Sequence, residues 1–159
     1  MKPIAILIFL ALSTAMAEQI GSFLYIERVD PITDEDTSFA VAVPIDKNER
    51  FLLLRCKNKK LEVLYSTNVY LGSATEFNVI YRFDNREPSK TEKWSASVTR
   101  QSVFFPMNSE ETSSDFKIDL ITWDKIVIRV YDFKETAYTD TFLLSGAMEL
   151  ASRMNCFWY

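Results

Sequence analysis

Two cysteines, Cys56 and Cys156, most constrain what this 159-residue chain can fold into. Cys56 ends the strongly apolar segment Phe51–Cys56, and Cys156 lies close to the last residue, Tyr159. An even number of cysteines in an exported chain favours a disulfide. A bridge would close a loop of about 100 residues and stabilise the fold by up to about 4.7 kcal/mol in the chain-entropy model. The alternative is two buried thiols, which an oxidising compartment disfavours.

The amino terminus has the pattern of a secretory signal peptide. A positive start at Lys2 precedes the apolar run Ile4–Leu12, and the small residues Ala15 and Ala17 occupy the positions that a signal peptidase reads. The run is too short to cross a bilayer comfortably, which argues against a membrane anchor. We therefore expect residues 1–17 to be a signal peptide and residues 18–159 to be a single β-rich domain, periplasmic or secreted.

Composition argues against several functional classes. The formal net charge is −4, whereas a general nucleic-acid-binding protein needs a basic face, so we expect no nucleic-acid partner. No segment after the leader is apolar enough to span a bilayer, so we expect no stable membrane insertion after cleavage. The chain has no histidine, which removes histidine-dependent catalysis and histidine metal sites. The acidic turn Thr33–Asp36 lacks the spacing and glycine of a calcium loop, and we predict no metal and no cofactor.

Alternation of apolar and polar residues predicts a succession of short strands. Thr37–Val43 alternates with period two. Glu92–Val98 does so as well, and Trp94, Ala96 and Val98 are predicted to point inward. Phe51–Cys56 is apolar on both faces, as in a strand covered on both sides, and it forms a predicted β-hairpin with Leu61–Tyr65. Together with similar segments elsewhere, these predict a mainly β fold. We expect an antiparallel β-sandwich or barrel-like sheet of about eight short strands with two short helices, one at the C-terminus.

Helical spacing replaces the strand pattern in two places. Phe116 and Leu120 recur at helical spacing and predict a short helix that covers the sheet. Near the end of the chain, Ser145 is the predicted N-cap of a second helix, and Cys156 lies just beyond its apolar stripe. That stripe consists of Ala147, Leu150, Ala151 and Met154. We predict that this helix docks by its stripe and is attached by the disulfide to strand 51–56.

One enzyme-like motif is present. Ser114 and Lys117 form an S-x-x-K pair on the first predicted helix, an arrangement in which a lysine could activate a serine. The companion motifs are absent, the chain is short for such an enzyme, and so loose a pattern occurs often by chance. A catalytic carboxylate pair stays open, because acidic residues are plentiful and their separations are not visible in a sequence. We assign no catalytic residue.

A second constellation combines arginine with aromatic residues on neighbouring strands. Tyr81, Arg82 and Asp84 lie in one strand and its turn, and Trp94 follows in the next strand. Arginine beside aromatic rings is typical of protein interfaces and of sites for anionic ligands. The structural alternative places Tyr81 and Trp94 in the core and pairs Arg82 with Asp84 or Glu92. These four residues are the candidate interaction site, and both interpretations remain open at this point.

The order of motifs along the chain resembles the TagO/VasI-like family of exported proteins associated with type VI secretion. The matching segments are Leu52–Cys56, Leu61–Val63, Val79–Asp84, Trp94–Ser97, Ile126–Val130 and Thr141–Gly146, followed by a short helix that runs to Cys156. They cover most of the predicted mature chain. The Leu-Arg-Cys, Tyr-Arg-Phe-Asp and final-cysteine elements are the most specific. The aromatic tail Phe157–Tyr159 departs from the pattern, and it either contacts a partner or packs back on the sheet.

The resemblance implies a periplasmic accessory protein rather than an enzyme, and it carries over no catalytic residue. The leading hypothesis is an exported binding protein without catalysis that acts through an unidentified partner protein in the cell envelope. Similar proteins are also encoded by phages and prophages. One alternative is therefore a phage-encoded envelope factor that blocks superinfection or inhibits a wall-active enzyme. Another is a small hydrolase that uses Ser114 and Lys117.

Overall fold

The computed structural model describes residues 17–47, 49–106 and 110–158, the side chains of residues 110–113 excepted. Apart from Ala17, the predicted signal peptide lies outside these residues. Ten strands and two helices are formed by the described residues. In chain order they are β1 (Ala17–Ile20), β2 (Phe23–Ile26), β3 (Phe39–Ala42), β4 (Phe51–Lys57), β5 (Lys60–Ser66), β6 (Glu76–Phe83), β7 (Glu92–Ala96), β8 (Ser102–Phe104), α1 (Glu110–Thr122), β9 (Lys125–Tyr131), β10 (Ala137–Leu143) and α2 (Ala147–Arg153).

The strands form one antiparallel sheet in the order β1-β2-β3-β4-β5-β8-β7-β6-β9-β10. The sheet curves so that β10 returns towards the residues after β3, where Ile45 N donates to Thr141 O at 2.9 Å. The rings of Tyr65 on β5 and Phe142 on β10 also meet, with centroids 5.9 Å apart. The sheet is not closed into a barrel. The predicted antiparallel, sandwich-like architecture is therefore confirmed, with ten strands in the described residues rather than about eight.

A single hydrophobic core lies on the inner face of the curved sheet. On β4 the burial alternates strictly, because successive side chains of a strand point to opposite faces. Leu52, Leu54 and Cys56 are buried, whereas the outward residues Phe51, Leu53 and Arg55 are half-buried. The prediction that this segment is fully covered on both faces is thus correct for the inner face only. The predicted hairpin of β4 and β5 forms, and Asn58 and Lys59 at its turn have φ of 50° and 62°.

The predicted attachment of the C-terminal helix is present. Cys56 and Cys156 form a disulfide with Cα atoms 5.5 Å apart. All four residues of the predicted stripe on α2 are buried: Ala147, Leu150, Ala151 and Met154. The acidic turn before β3 takes part as well, since Asp36 Oδ2 accepts a hydrogen bond from Asn155 N at 3.0 Å. The disulfide therefore lies where the end of β4, this turn and the last residues of the chain meet.

Two local predictions are wrong, both for reasons of backbone geometry. Val98 is 98% exposed instead of inward, because β7 ends at Ala96 and a tight turn follows, with Arg100 N donating to Ser97 O at 3.0 Å. The N-cap of α2 is Gly146 rather than Ser145.

Of the aromatic tail, Phe157 is buried and Trp158 is 60% exposed, so the tail packs back only in part.

Gly21 and Gly146 allow the β1–β2 turn to approach the start of α2 very closely. Gly21 has φ of 56°, and a Cβ there would lie 2.1 Å from the carbonyl oxygen of Ser145. Gly146 has φ of 90°, and a Cβ there would lie 2.5 Å from the carbonyl oxygen of Ile20. Ser22 N donates to Ser145 O at 2.9 Å across the same contact. A side chain at either glycine would separate two pieces of backbone, which cannot relax as a flexible side chain would.

Replacing Gly21 by alanine should lower the free energy of unfolding by about 2–4 kcal/mol, from left-handed backbone strain together with the clash against Ser145. Urea denaturation followed by tryptophan fluorescence measures the loss. The matched control on the same hairpin is Glu18→Ala, which removes an exposed ion pair to Arg153 and should cost less than about 1 kcal/mol. Equal midpoints for Gly21→Ala and Glu18→Ala would contradict the close approach.

Candidate functional site

The four residues of the candidate interaction site do not form one cluster. On β6 the inner-face residues are Phe77, Val79, Tyr81 and Phe83, and Arg82 points to the opposite face. Trp94, opposite Phe77 on β7, is also on the inner face. Asp84 lies in the turn that follows β6. Period two along β6 therefore separates Tyr81 from Arg82, although the two are adjacent in sequence.

Tyr81 and Trp94 belong to the core, as the structural alternative proposed. Trp94 is fully buried, and its indole Nε1 donates to Glu92 Oε2 at 3.2 Å. The ring of Tyr81 lies 6.1 Å from that of Trp94 and 5.3 Å from that of Phe116 on α1, centroid to centroid. Burial raises the pKa of Tyr81, and the carboxylate of Glu92 adds to the increase. These rings pack α1, the predicted covering helix, against the inner face of the sheet. They therefore stabilise the core and do not line a surface site.

Asp84 has a structural role at the end of β6. Its backbone has φ of 39°, and its Oδ2 accepts a hydrogen bond from Asp124 N at 3.0 Å. Asp84 N in turn donates to Lys125 O at 3.1 Å. The residue therefore connects the end of β6 to the start of β9. It does not pair with Arg82 as the structural alternative suggested.

Arg82 is the one member of the predicted site that the structure exposes. Within the described residues it makes no ion pair and no side-chain hydrogen bond. Two surface cavities share it, one of about 380 Å³ that Arg86, Ser89 and Asp119 also line, and one of about 220 Å³ that includes Arg129. A guanidinium presents a rigid fork of donors that suits carboxylates and other planar anions. Arg82 is therefore available to a ligand or partner on both of its sides.

The neighbours of Arg82 extend this positive character across the outer surface of the sheet. Arg82 is opposite Val127 and Arg129 is opposite Ile80, so the two arginines are diagonal neighbours on adjacent strands. Arg129 Nε donates to Thr139 Oγ1 at 2.8 Å and has no carboxylate partner in the described residues. We call the outward surface of β6, β7, β9 and β10 the cationic face. Its charged residues are Arg82, Lys93, Lys125 and Arg129, with Glu76 as the acidic exception.

The cationic face contrasts with the net charge of the whole chain, which is −4. Of the three carboxylates on these strands, Glu76 alone shares the face, since Glu92 and Asp140 point inward, and the four cations outnumber it. Segregated charge of one sign raises the local concentration of oppositely charged partners and steers their approach. The arrangement can therefore bind an acidic surface despite the acidic composition of the protein.

The loop after β6 forms one wall of the larger cavity beside Arg82. Ser89 N donates to Tyr81 O at 2.8 Å, and Tyr81 N donates to Ser89 Oγ at 3.1 Å. Arg86 on the same loop pairs with Asp119 on α1 at 2.8 Å and lies over the ring of Trp123, 5.5 Å from its centroid. The loop is thus anchored both to β6 and to α1, so the cavity is held in shape by specific contacts.

The Ser114 and Lys117 pair lies on α1 as predicted, but the two side chains differ in environment. Ser114 is exposed, whereas Lys117 is 8% exposed. Burial lowers the pKa of Lys117, and the charge of Lys60 adds to the decrease. No described hydrogen bond joins Ser114 to Lys117, so the geometry lends no support to a serine activated by this lysine. The prediction that the protein is not an enzyme remains a prediction.

A buried polar cluster was missed by the sequence analysis. The Tyr65 hydroxyl donates to Asp140 Oδ2, and Arg50 Nη1 bonds both carboxylate oxygens of Asp140 at 3.1 and 3.2 Å. The Asp140 side chain is 0% exposed. Burial, followed by the hydrogen bond to Asp140, raises the pKa of Tyr65. The signal was available: Asp140 occupies an inward position between Tyr138 and Phe142 in an alternating strand, where an acidic residue needs a partner.

Two further observations concern ligands and membranes. Across the described ranges, no group of three or more histidine, cysteine, aspartate or glutamate side chains is arranged to hold a metal ion. No helix in the described part of the chain has the length and apolar character needed to cross a bilayer.

Comparisons with known proteins identify a shared fold. No protein-family model matches the chain, and no curated protein matches it. Among solved structures, the crystal structure of invasion associated protein B from Bartonella henselae is similar, with a TM-score of 0.58. The sequences are 10% identical, and the superposition covers 87% of this chain and 94% of that chain. The two proteins therefore have the same mainly β fold over almost their whole length.

Proposed function

We propose that the protein is an exported accessory or binding protein that acts without catalysis through a protein partner in the cell envelope, and that the cationic face contacts this partner. The observation that carries the proposal is Arg82, an exposed arginine without an ion pair in the described residues, placed between two cavities. Arginine is enriched among residues that dominate binding energy at protein interfaces. A surface of this kind has no evident role in stabilising the fold.

The proposed compartment rests on the disulfide and on the predicted leader. Disulfides persist in the periplasm and outside the cell, whereas the cytosol keeps thiols reduced. Cys56 and Cys156 are paired here, and both are buried. The leader pattern in residues 1–17 supports the same location. We therefore place the protein in the periplasm or outside the cell.

The proposed association with type VI secretion rests on the motif resemblance alone. Genes for a secretion sheath beside the coding gene would support it, and phage structural genes there would support the phage-encoded envelope factor instead. In both cases the protein would act through an envelope partner, so the experiment on the cationic face below applies to both. The hydrolase alternative would require Ser114 and Lys117 to come together, which the described contacts do not support.

Charge reversal at Arg82 should disrupt partner binding without affecting the fold. In cells that export a tagged protein, we expect chemical cross-linking to yield a specific adduct with an envelope protein, and Arg82→Glu to reduce its amount about tenfold. The matched control is Arg28→Glu, a reversal at an exposed arginine between β2 and β3, outside the cationic face. The adduct should persist in that variant. Undiminished adduct in Arg82→Glu, or cleavage of an envelope substrate by protein that captures no partner, would refute the proposal.

A further inference from the structure

We propose that an elongated groove, which runs along the outer face of β6 and turns around the edge of this strand at Arg82, binds an extended segment of a partner protein with an acidic centre and uncharged or aromatic ends. This inference rests on the proposed function, because it names the part of the partner that the cationic face recognises. It follows from the succession of three cavities, from the absence of a free backbone edge over Val79–Phe83 of β6, and from the order of charges along the groove.

The three cavities follow one another along β6. The first, of about 610 Å³, includes Asn78, Ile80 and Lys93. The second, of about 220 Å³, shares Ile80 with the first and Arg82 with the third. The third, of about 380 Å³, lies around the edge of β6 from the other two, because the inner-face residues Tyr81 and Phe83 line it together with Asp119 of α1. The loop that carries Arg86 and Glu87 forms its outer wall. We call this series the β6 groove. The eight residues of β6 span roughly 26 Å at about 3.3 Å per residue, so the groove accommodates about eight residues of extended peptide.

A peptide cannot join the sheet at Val79–Phe83 of β6, because both backbone edges of this part of the strand are in use. One edge pairs with β9 over Val79–Phe83. The other edge pairs with β7 over Glu76–Val79, and beyond it Ser89 bonds the backbone of Tyr81. Recognition by strand addition depends on a free edge. A bound segment must therefore lie across the outward side chains, and its own side chains determine the specificity.

The central part of the β6 groove is cationic. Arg82 and Arg129 are diagonal neighbours there, and neither makes an ion pair within the described ranges. Lys93 stands on one side of this centre, opposite Asn78 across the β6–β7 pair. Carboxylates of a partner can reach these groups without displacing an existing ion pair. Charge complementarity therefore places the acidic residues of the partner at the centre of the bound segment.

The first cavity has a different chemistry and argues against a polyanion. It is lined by acidic residues together with the rings of Tyr131 and Phe133, the latter 63% exposed. The acidic residues are Glu76, Asp132 and Glu135. A nucleic acid or another uniformly charged polymer needs a continuous basic path. A peptide can instead place an aromatic or uncharged residue at this end and carboxylates only at the centre.

The test is binding of labelled peptides to the purified disulfide-bonded protein by fluorescence anisotropy. The probe is a nine-residue peptide with three central glutamates and aromatic or uncharged residues at both ends, and its matched control has glutamines in place of the glutamates. We expect the glutamate peptide to bind about tenfold more tightly, and its affinity to fall between about 50 mM and about 300 mM NaCl. Arg82→Glu and Arg129→Glu should each weaken it about tenfold, whereas Arg28→Glu should not.

Thermal melts of each variant verify the fold before the affinities are compared. Equal affinity for the glutamate and glutamine peptides, or unchanged affinity in Arg82→Glu, would overturn the inference. Tighter binding of polyphosphate or of a sulfated oligosaccharide than of the peptide would also overturn it, in favour of a polyanion site. If peptides show no charge preference while the cellular adduct still depends on Arg82, the groove proposal fails and the proposed function stands. If the glutamate peptide binds as expected but no envelope adduct forms, the inference about the groove is supported and the proposed envelope partner is refuted.

Discussion

Removing the Cys56–Cys156 disulfide should lower the melting temperature of the protein by roughly 10–15 °C in the absence of reductant. The bridge joins residues separated by 100 positions, and a loop of that length corresponds to a stabilisation of about 4.7 kcal/mol in the chain-entropy model. The loss should also release the end of the chain, because Cys156 follows the buried stripe of α2. The measurement is a thermal melt of the double variant Cys56→Ser/Cys156→Ser beside the parent, both exported to the periplasm.

The parent protein provides the control for this prediction. With excess reductant, parent and double variant should melt at similar temperatures, since neither then has a bridge. Using the double variant avoids a lone buried thiol that could form dimers. Equal melting temperatures without reductant would show that the bridge does not stabilise the fold.

Replacing Asp140 by asparagine should lower the free energy of unfolding by about 3 kcal/mol, because the ion pair between the fully buried carboxylate and the partly exposed Arg50 would be lost. Asp140 also accepts the hydroxyl hydrogen bond of Tyr65, so the change weakens two contacts at once. Tyr65 is on β5 and Asp140 is on β10, which lie far apart in strand order. The loss should therefore appear as a single cooperative shift of the urea midpoint with an unchanged m-value.

Two further variants test whether the loss of stability comes from the burial of Asp140 or would follow from removing any ion pair. Glu149→Ala removes the exposed pair with Arg153 and should cost less than about 1 kcal/mol. Replacing Arg50 by methionine together with Asp140 by leucine should recover part of the loss, since apolar side chains then replace both members of the ion pair. A loss for Asp140→Asn as small as that for Glu149→Ala would show that the cluster contributes little.

The strands were predictable because their signal is local. A strand with one buried side shows period two in its own sequence, and β3, β4, β9 and β10 all do. The stripe of α2 was predictable for the same reason, with helical spacing in place of period two. The failures were also local: Val98 continued an alternation that the backbone had already ended at a turn. Periodicity does not report where a turn begins when no proline or glycine marks it.

The candidate site was predictable in part. The sequence singled out the correct strand and included Arg82, which the structure exposes. It grouped Arg82 with Tyr81 and Trp94, which the structure places in the core. Arg129 was not included, because β9 is distant in sequence from β6. Lys93 was not included either, although it directly precedes Trp94, because the sequence does not show that its side of β7 adjoins Arg82. Only pairing of β6 with both β7 and β9 brings these cations onto one surface.

The sequence by itself determined most of the strands, the buried face of α2 and the expectation that Cys56 and Cys156 pair, because these follow from period, apolarity and cysteine count. The tertiary structure decided the order of strands, the burial of Asp140 with Arg50, and the division between the core and the cationic face. The physical reason is the range of the interactions. Periodicity arises between residues a few positions apart, whereas the partner of a buried charge is set by contacts between β5 and β10, 75 residues apart in the case of Tyr65 and Asp140.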